Sequence, residues 1–187
     1  LVGAFYYARE CGRHMLENGS GSIVNIGSIL GSGGSENGVI AYSAAKGGLR
    51  NMTLQLGTEW ADRGVRVNAV SPGFIVTEMT RVALEAMGID KWIASRTPMR
   101  RVGESQEVTN AVMFLASDLA SYITGVDLLV DGGTNAINGS FQIPPIHHEW
   151  NVDTPMVPTS YEPVQPRPDW YQALEAGVPG VHYPLPE

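Results

Sequence analysis

Apolar residues along this chain fall into two alternating kinds of run. Leu1, Phe5, Ala8, Gly12 and Met15 recur at steps of four and three, which places them on one face of a helix. A second stripe begins at Tyr42, runs through Ala45, Leu49, Met52, Leu56 and Trp60, and closes near Arg63-Gly64. A third passes through Val108, Ala111, Val112 and Leu115, with Glu104-Ser105 as candidate caps ahead of it. Between the stripes lie short, nearly continuous apolar runs that read as strands. They are Ser22-Ile23-Val24-Asn25-Ile26-Gly27, Val65-Arg66-Val67-Asn68-Ala69-Val70, and the strand and turn of Gly125 to Gly133.

The punctuation agrees with that division. Asn18-Gly19-Ser20-Gly21 carries helix-stop and turn chemistry, and Ser71-Pro72-Gly73 is expected to break the second strand. Ser28 to Ile40, with Gly31, Gly33, Gly34 and Gly38, reads as a loop, and residues 78–98 as a mixed helical segment interrupted by Gly88 and closed by Pro98. Apolar strands separated by helices pair in parallel with helices on both faces, so the fold class is α/β. Three clear strands make a small sheet for that class, and no internal repeat is visible.

Composition shifts near Gly139. Ten of the twelve prolines lie beyond it, interleaved with Trp150, Tyr161, Trp170, Tyr171 and Tyr183, and such proline density forbids long helices and central strands. The chain therefore divides into residues 1–137, one packed α/β unit, and residues 138–187, a proline- and aromatic-rich extension. That extension reads as an arm over a neighbouring subunit or the site's mouth, the plainer alternative being a loosely ordered tail.

Charge narrows the partners. A net charge of -7 and a pI near 5.0 disfavour nucleic acid and anionic membrane surfaces. No apolar run approaches the ~18 residues of a membrane span, and the opening segment lacks the basic flank of a signal peptide. One cysteine, Cys11, excludes an intrachain disulfide, fits a reducing cytoplasm and reads as a structural helix residue. His147-His148-Glu149 with Asp153 has no framing element, and no metal is expected. Arg100-Arg101 reads as a solvated pair, the alternative being contact with an acidic substrate or a cofactor phosphate. The chain starts at Leu1, inside a helical stripe, and reads as a fragment.

The chemistry concentrates where strands end. Tyr42 and Lys46, four apart near a helix start, share a face. An ammonium beside a phenol favours the phenolate, and the helix's positive end pushes the same way. That suits a tyrosine exchanging a proton with a carbonyl or alcohol oxygen. Alone, the spacing is weak, and an ordinary exposed pair would show it. Ser28 follows the first strand, fourteen positions before Tyr42, at the carboxyl end where open parallel sheets bind ligands. Its hydroxyl could bond a reacting oxygen, or merely cap a turn. Ser71-Pro72-Gly73-Phe74-Ile75-Val76-Thr77 follows the second strand, its turn leaving backbone groups to face a ligand.

These segments carry a specific resemblance. Gly21 to Ser28, Tyr42-Ser-Ala-Ala-Lys46-Gly-Gly, Val65 to Gly73, and Ile123 to Gly133 resemble the short-chain dehydrogenase/reductase family over roughly residues 1–137. The resemblance implies a Rossmann-like doubly wound parallel sheet, here incomplete. It implies an NAD- or NADP-dependent enzyme interconverting an alcohol and a ketone or aldehyde. Tyr42 is then the general acid/base, Lys46 holds the nicotinamide ribose hydroxyls and favours the phenolate, and Ser28 orients the substrate oxygen. Cofactor contacts fall on Tyr42, Lys46, Pro72, Gly73, Ile75 (through its backbone) and Thr77 (through its hydroxyl). Residues 78–98 correspond to the variable substrate lid. The stripes at 1–16 and 42–60 resemble helices with which members form homodimers or homotetramers.

Two departures stand out. The family usually places its serine thirteen positions before the tyrosine; the extra residue fits among the loop glycines, with Ser32 and Ser35 weaker substitutes for Ser28. The family's glycine-rich turn for the pyrophosphate is absent, and with it the residue separating NAD from NADP. These 187 residues are thus expected to hold about half of a cofactor site, to expose an apolar edge at the first strand, and to be inactive alone. The competing reading is a truncated, non-catalytic protein acting through its helices or its arm.

Overall fold

The computed structural model describes residues 1–35, 38–78, 80–81 and 89–136. The chain divides into units at Leu1–Ser140 and Phe141–Glu187, and all described residues belong to the first. The extension from 138 onward, including His147, His148, Glu149 and Asp153, lies outside the described residues.

Helix α1 (Val2–Asn18) stops where Gly19 takes φ 67°, and the N–H groups of Gly19 and Ser20 both turn back to the Met15 carbonyl. Strand β1 (Gly21–Ile26) follows, then a single 3-10 turn (Ile29–Gly31) and helix α2 (Ile40–Glu59). Strand β2 (Val65–Pro72) leads to the two-residue β3 (Ile75–Val76), helix α3 (Ile89–Arg96) and the equally short β4 (Gly103–Glu104). Helix α4 (Ser105–Ala116) and strand β5 (Asp127–Val130) complete the order. The main sheet runs β1-β2-β5, all parallel, and β3 pairs in parallel with β4.

Central β2 is buried from Val67 to Ser71, the polar Asn68 and Ser71 included. Its two faces are distinct. Val70 packs with Leu115 of α4 and with Ala120, supported by Val24, Val112 and Leu128. Arg66, on the same face, donates to the carbonyls of Leu115 (2.7 Å) and Ser117 (3.0 Å) and so satisfies the end of α4. The opposite face meets α2: Asn25 of β1 donates to Thr53 (2.9 Å), and Arg50 pairs with Asp127 (3.3 Å). Helices therefore cover both faces, as the pattern predicts.

Four details differ from expectation. Helix α2 starts at Ile40 rather than Tyr42, behind Val39, whose side chain makes no cap. Its fully buried line is Leu49, Thr53 and Gly57, with Tyr42 exposed, because the helix approaches the sheet through small residues. A Cβ on Gly57 would sit 2.5 Å from the Gly125 nitrogen and 2.8 Å from the Val67 oxygen. In α1 the buried members are Ala8 and Gly12, while Leu1 and Phe5 face out; a Cβ on Gly12 would run into the Trp60 ring. Finally, Ser71-Pro72-Gly73 does not break β2. Pro72 pairs with Val130 and Gly73 N–H still donates to the Val130 carbonyl (3.0 Å), so the ladder outlasts the proline.

Candidate active site

Two strand exits at the carboxyl end of the sheet carry the polar groups. At the first, Gly27 donates to the Val70 carbonyl (2.7 Å), and a Cβ there would displace the Ser71 hydroxyl. Ser28 comes next, in extended conformation and 8% exposed. Its Oγ accepts from Leu30 N–H (3.2 Å) and caps the 3-10 turn. A hydroxyl that accepts in this way keeps its own proton to donate.

That turn lies against α2. A Cβ on Gly31 would stand 3.0 Å from the Lys46 carbonyl, so the glycine lets the turn close on the helix. Tyr42 is the third residue of α2 and Lys46 lies one turn further on. The Lys46 ammonium donates to the Ile26 carbonyl at 2.7 Å and lies 5.6 Å from the Tyr42 ring centroid. It therefore ties the end of β1, two residues before Ser28, to the turn of α2 that carries Tyr42. Tyr42 itself is 47% exposed.

At the second exit the backbones of β2 and β5 touch: a Cβ on Gly73 would lie 2.8 Å from the Asp131 Cα. Asp131 accepts from the N–H groups of Gly133 (2.9 Å) and Asn135 (2.7 Å), fixing the turn after β5. Asn135 donates in turn to Ser32 (2.8 Å), so the loop after Ser28 is held from across the sheet. Ile75 leads to Thr77, whose N–H donates to the Thr80 hydroxyl at 2.8 Å. Neither Thr80 nor Asn135 stands out in the sequence. Thr80 carries one faint signal, a hydroxyl residue three after another at a helix start.

Two cavities open near this second exit. One, about 300 Å³, is lined by Phe74, Ile75, Thr97, Met99, Leu129 and Asp131 among others. The other, about 620 Å³, is lined by Val76, Arg81, Asp90, Val102 and Glu104, with Arg101 and Glu107 on both. Neither is lined by Ser28, Tyr42 or Lys46: Ser28 is buried at the end of β1, Lys46 is half-buried and Tyr42 is exposed on α2. Arg100 and Arg101 are both exposed, as a solvated pair would be, yet each is engaged with a neighbour. Arg100, at φ 57°, donates to the Ser95 carbonyl, while Arg101 grips Glu107 through two bonds (2.6 and 2.8 Å). Arg101, with the Glu104 N–H, holds the Glu107 carboxyl well below its usual range, at about 2. Among the described residues no cluster of His, Cys, Asp or Glu could hold a metal, and no helix is long and apolar enough to cross a membrane.

The arrangement can be set against known proteins. A family model described as enoyl-(acyl carrier protein) reductase, of the short-chain dehydrogenase/reductase family, matches residues 1–135. This chain belongs to the short-chain dehydrogenase/reductase family. Among the family's curated proteins it is 45% identical over 132 residues to the galactitol 2-dehydrogenase (L-tagatose-forming) of Cereibacter sphaeroides, covering 70% of this chain and 52% of that one. It is 44% identical over 133 residues to a 3-oxoacyl-[acyl-carrier-protein] reductase of Buchnera aphidicola, covering 71% and 53%. Among solved structures it resembles the gluconate 5-dehydrogenase of Burkholderia cenocepacia, in complex with NADP and tartrate. That match has a TM-score of 0.68 and 34% identity, over 73% of this chain and 53% of that one. The chain thus spans about half the length of these relatives.

Proposed function

We propose that this chain is the catalytic portion of an NAD(P)-dependent oxidoreductase that interconverts an alcohol and a ketone or aldehyde. The reading rests above all on Lys46, whose ammonium sits 2.7 Å from the Ile26 carbonyl and 5.6 Å from the Tyr42 ring. An ammonium has three N–H groups, and one is committed to Ile26. Two remain for a vicinal diol such as a ribose. The donor set therefore fits a nicotinamide nucleotide, and the NADP bound by the Burkholderia enzyme supports the same assignment.

In this proposal Lys46 holds the ribose, and Pro72-Gly73 set the course of the chain toward Ile75 and Thr77, which hold the carboxamide end. The cofactor, when bound, supplies the hydride acceptor or donor. Tyr42 Oη takes the proton from a substrate hydroxyl as the alcohol is oxidised, or returns it to the carbonyl oxygen on reduction. The Ser28 hydroxyl donates to that oxygen as negative charge develops on it. By the family resemblance, a seat for the pyrophosphate would be needed in addition to these residues.

The test uses the full-length protein, a panel of polyols, hydroxy acids and ketones, and the absorbance of reduced cofactor. Tyr42→Phe is expected to lower kcat by about 10²–10⁴-fold while cofactor affinity stays within about twofold. Near-wild-type turnover by that variant overturns the assignment of Tyr42.

A further inference from the structure

We propose that Thr80 is a positioning residue of the cofactor segment: its hydroxyl rotates to release the Ile75 carbonyl and the Thr77 proton to a ligand together. The inference rests on the reading of Ile75 and Thr77 given above. Thr80 Oγ1 accepts from Thr77 N–H at 2.8 Å and has a single proton of its own. Three acceptors compete for that proton: the Ile75 carbonyl at 3.0 Å, Thr77 Oγ1 at 3.0 Å and, more distantly, the Thr77 carbonyl at 3.3 Å. Thr77 Oγ1 also accepts from Thr80 N–H at 3.1 Å.

Counting donors and lone pairs leaves two complete arrangements over the shorter contacts. In the first, Thr80 donates to the Ile75 carbonyl. The contact between the two hydroxyls must then be Thr77 donating to Thr80, and the cluster is satisfied internally. In the second, Thr80 donates to Thr77 Oγ1. That oxygen now has both lone pairs filled, by Thr80 N–H and Thr80 Oγ1, so its proton points to an outside acceptor. The Ile75 carbonyl simultaneously recovers a lone pair for an outside donor. The two differ by rotation of two hydroxyl groups, with no backbone movement.

A ligand presenting one N–H donor and one acceptor together selects the second arrangement, and a primary carboxamide presents both. Thr80 thereby couples recognition of the amide nitrogen at Ile75 to recognition of an acceptor at Thr77. A methyl ketone in place of the carboxamide lacks the donor and gains nothing from the coupling.

The experiment is a fluorescence titration of the full-length protein with its reduced dinucleotide and with the 3-acetylpyridine analogue, which replaces the amide NH2 by CH3. Thr80→Val leaves the Ile75 carbonyl and the Thr77 proton free before any ligand arrives, so it is expected to tighten binding of both dinucleotides by a similar factor, up to about tenfold. Thr80→Ser, which restores the hydroxyl, is expected to return both affinities to the wild-type values. Should Thr80→Val fail to fold by circular dichroism, Thr80→Ala carries the same comparison. Weakened or unchanged binding of both dinucleotides overturns the role of Thr80 and leaves the cofactor reading standing. A wild-type protein that binds neither NADH nor NADPH overturns that reading itself, and this inference with it.

Discussion

The hydroxyl of Ser71 lies 2.6 Å from the Asp127 carboxylate, joining the central strand to β5 beneath α2. Asp127 is 5% exposed at its side chain and receives Arg50 from the helix at 3.3 Å, so one carboxylate ties two strands and a helix. Removing it leaves a buried hydroxyl without its partner. Asp127→Ala is expected to cost about 1–3 kcal/mol, and Asp127→Asn, which still accepts from Ser71, distinctly less. Urea unfolding midpoints of the two variants check the order.

Gly57 makes a sharper prediction. An added Cβ would strike the backbone of Gly125 and the Val67 carbonyl, none of which can swing away. Alanine gains up to about 1 kcal/mol of helix propensity, but overpacking costs about 1–3 kcal/mol. Gly57→Ala is therefore expected to lower Tm, against the usual stabilising effect of that exchange in helices. A raised Tm contradicts the close approach of α2 to the Val67–Gly125 backbone.

Glu107 sets an acid-side dependence. Its folded value of about 2, against 4.5 for an ordinary glutamate, means that the Arg101 grip contributes stability above pH 4.5 and loses it as pH falls toward 2. Both groups face solvent, so the effect is small and weakens with salt. Glu107→Gln is expected to flatten the pH dependence of unfolding between pH 4.5 and 2 and to leave it unchanged near pH 7.

The clasp between Asn135 and Ser32 predicts coupling across the site. If it steadies the loop after Ser28, Asn135→Ala and Ser32→Ala each lower kcat/KM about two- to fivefold, and the double variant loses no more than either alone. Purely additive losses speak against the clasp.

The main features were legible in the chain because they rest on periodicity. The Val65–Val70 run reads as a buried strand and is one, and Asn18-Gly19 marks the stop of α1 as the left-handed Gly19 shows. Ser28 lies directly after β1 at the sheet's carboxyl end, where the order of strand and loop places it. Other features had no signal to read. β3 and β4 are two residues each, too short to show alternation. The start of α2 is hidden because Val39 and Ile40 are apolar and no capping side chain announces it. Asn135 and Ser32 are 103 positions apart, a distance over which local pattern says nothing. The persistence of β2 through Pro72 was missed because a proline lacks a donor, yet here the next N–H, from Gly73, continues the ladder.

The all-parallel order β1-β2-β5 also has a temporal consequence. During synthesis β2 leaves the ribosome with one partner already made, but its other side waits for residues 127–130, beyond α4. Val70 is covered only once Leu115 and Ala120 have emerged, and Ser71 finds Asp127 later still. The nascent chain passes through an interval with its most buried strand half open, when a holding chaperone has the most to protect.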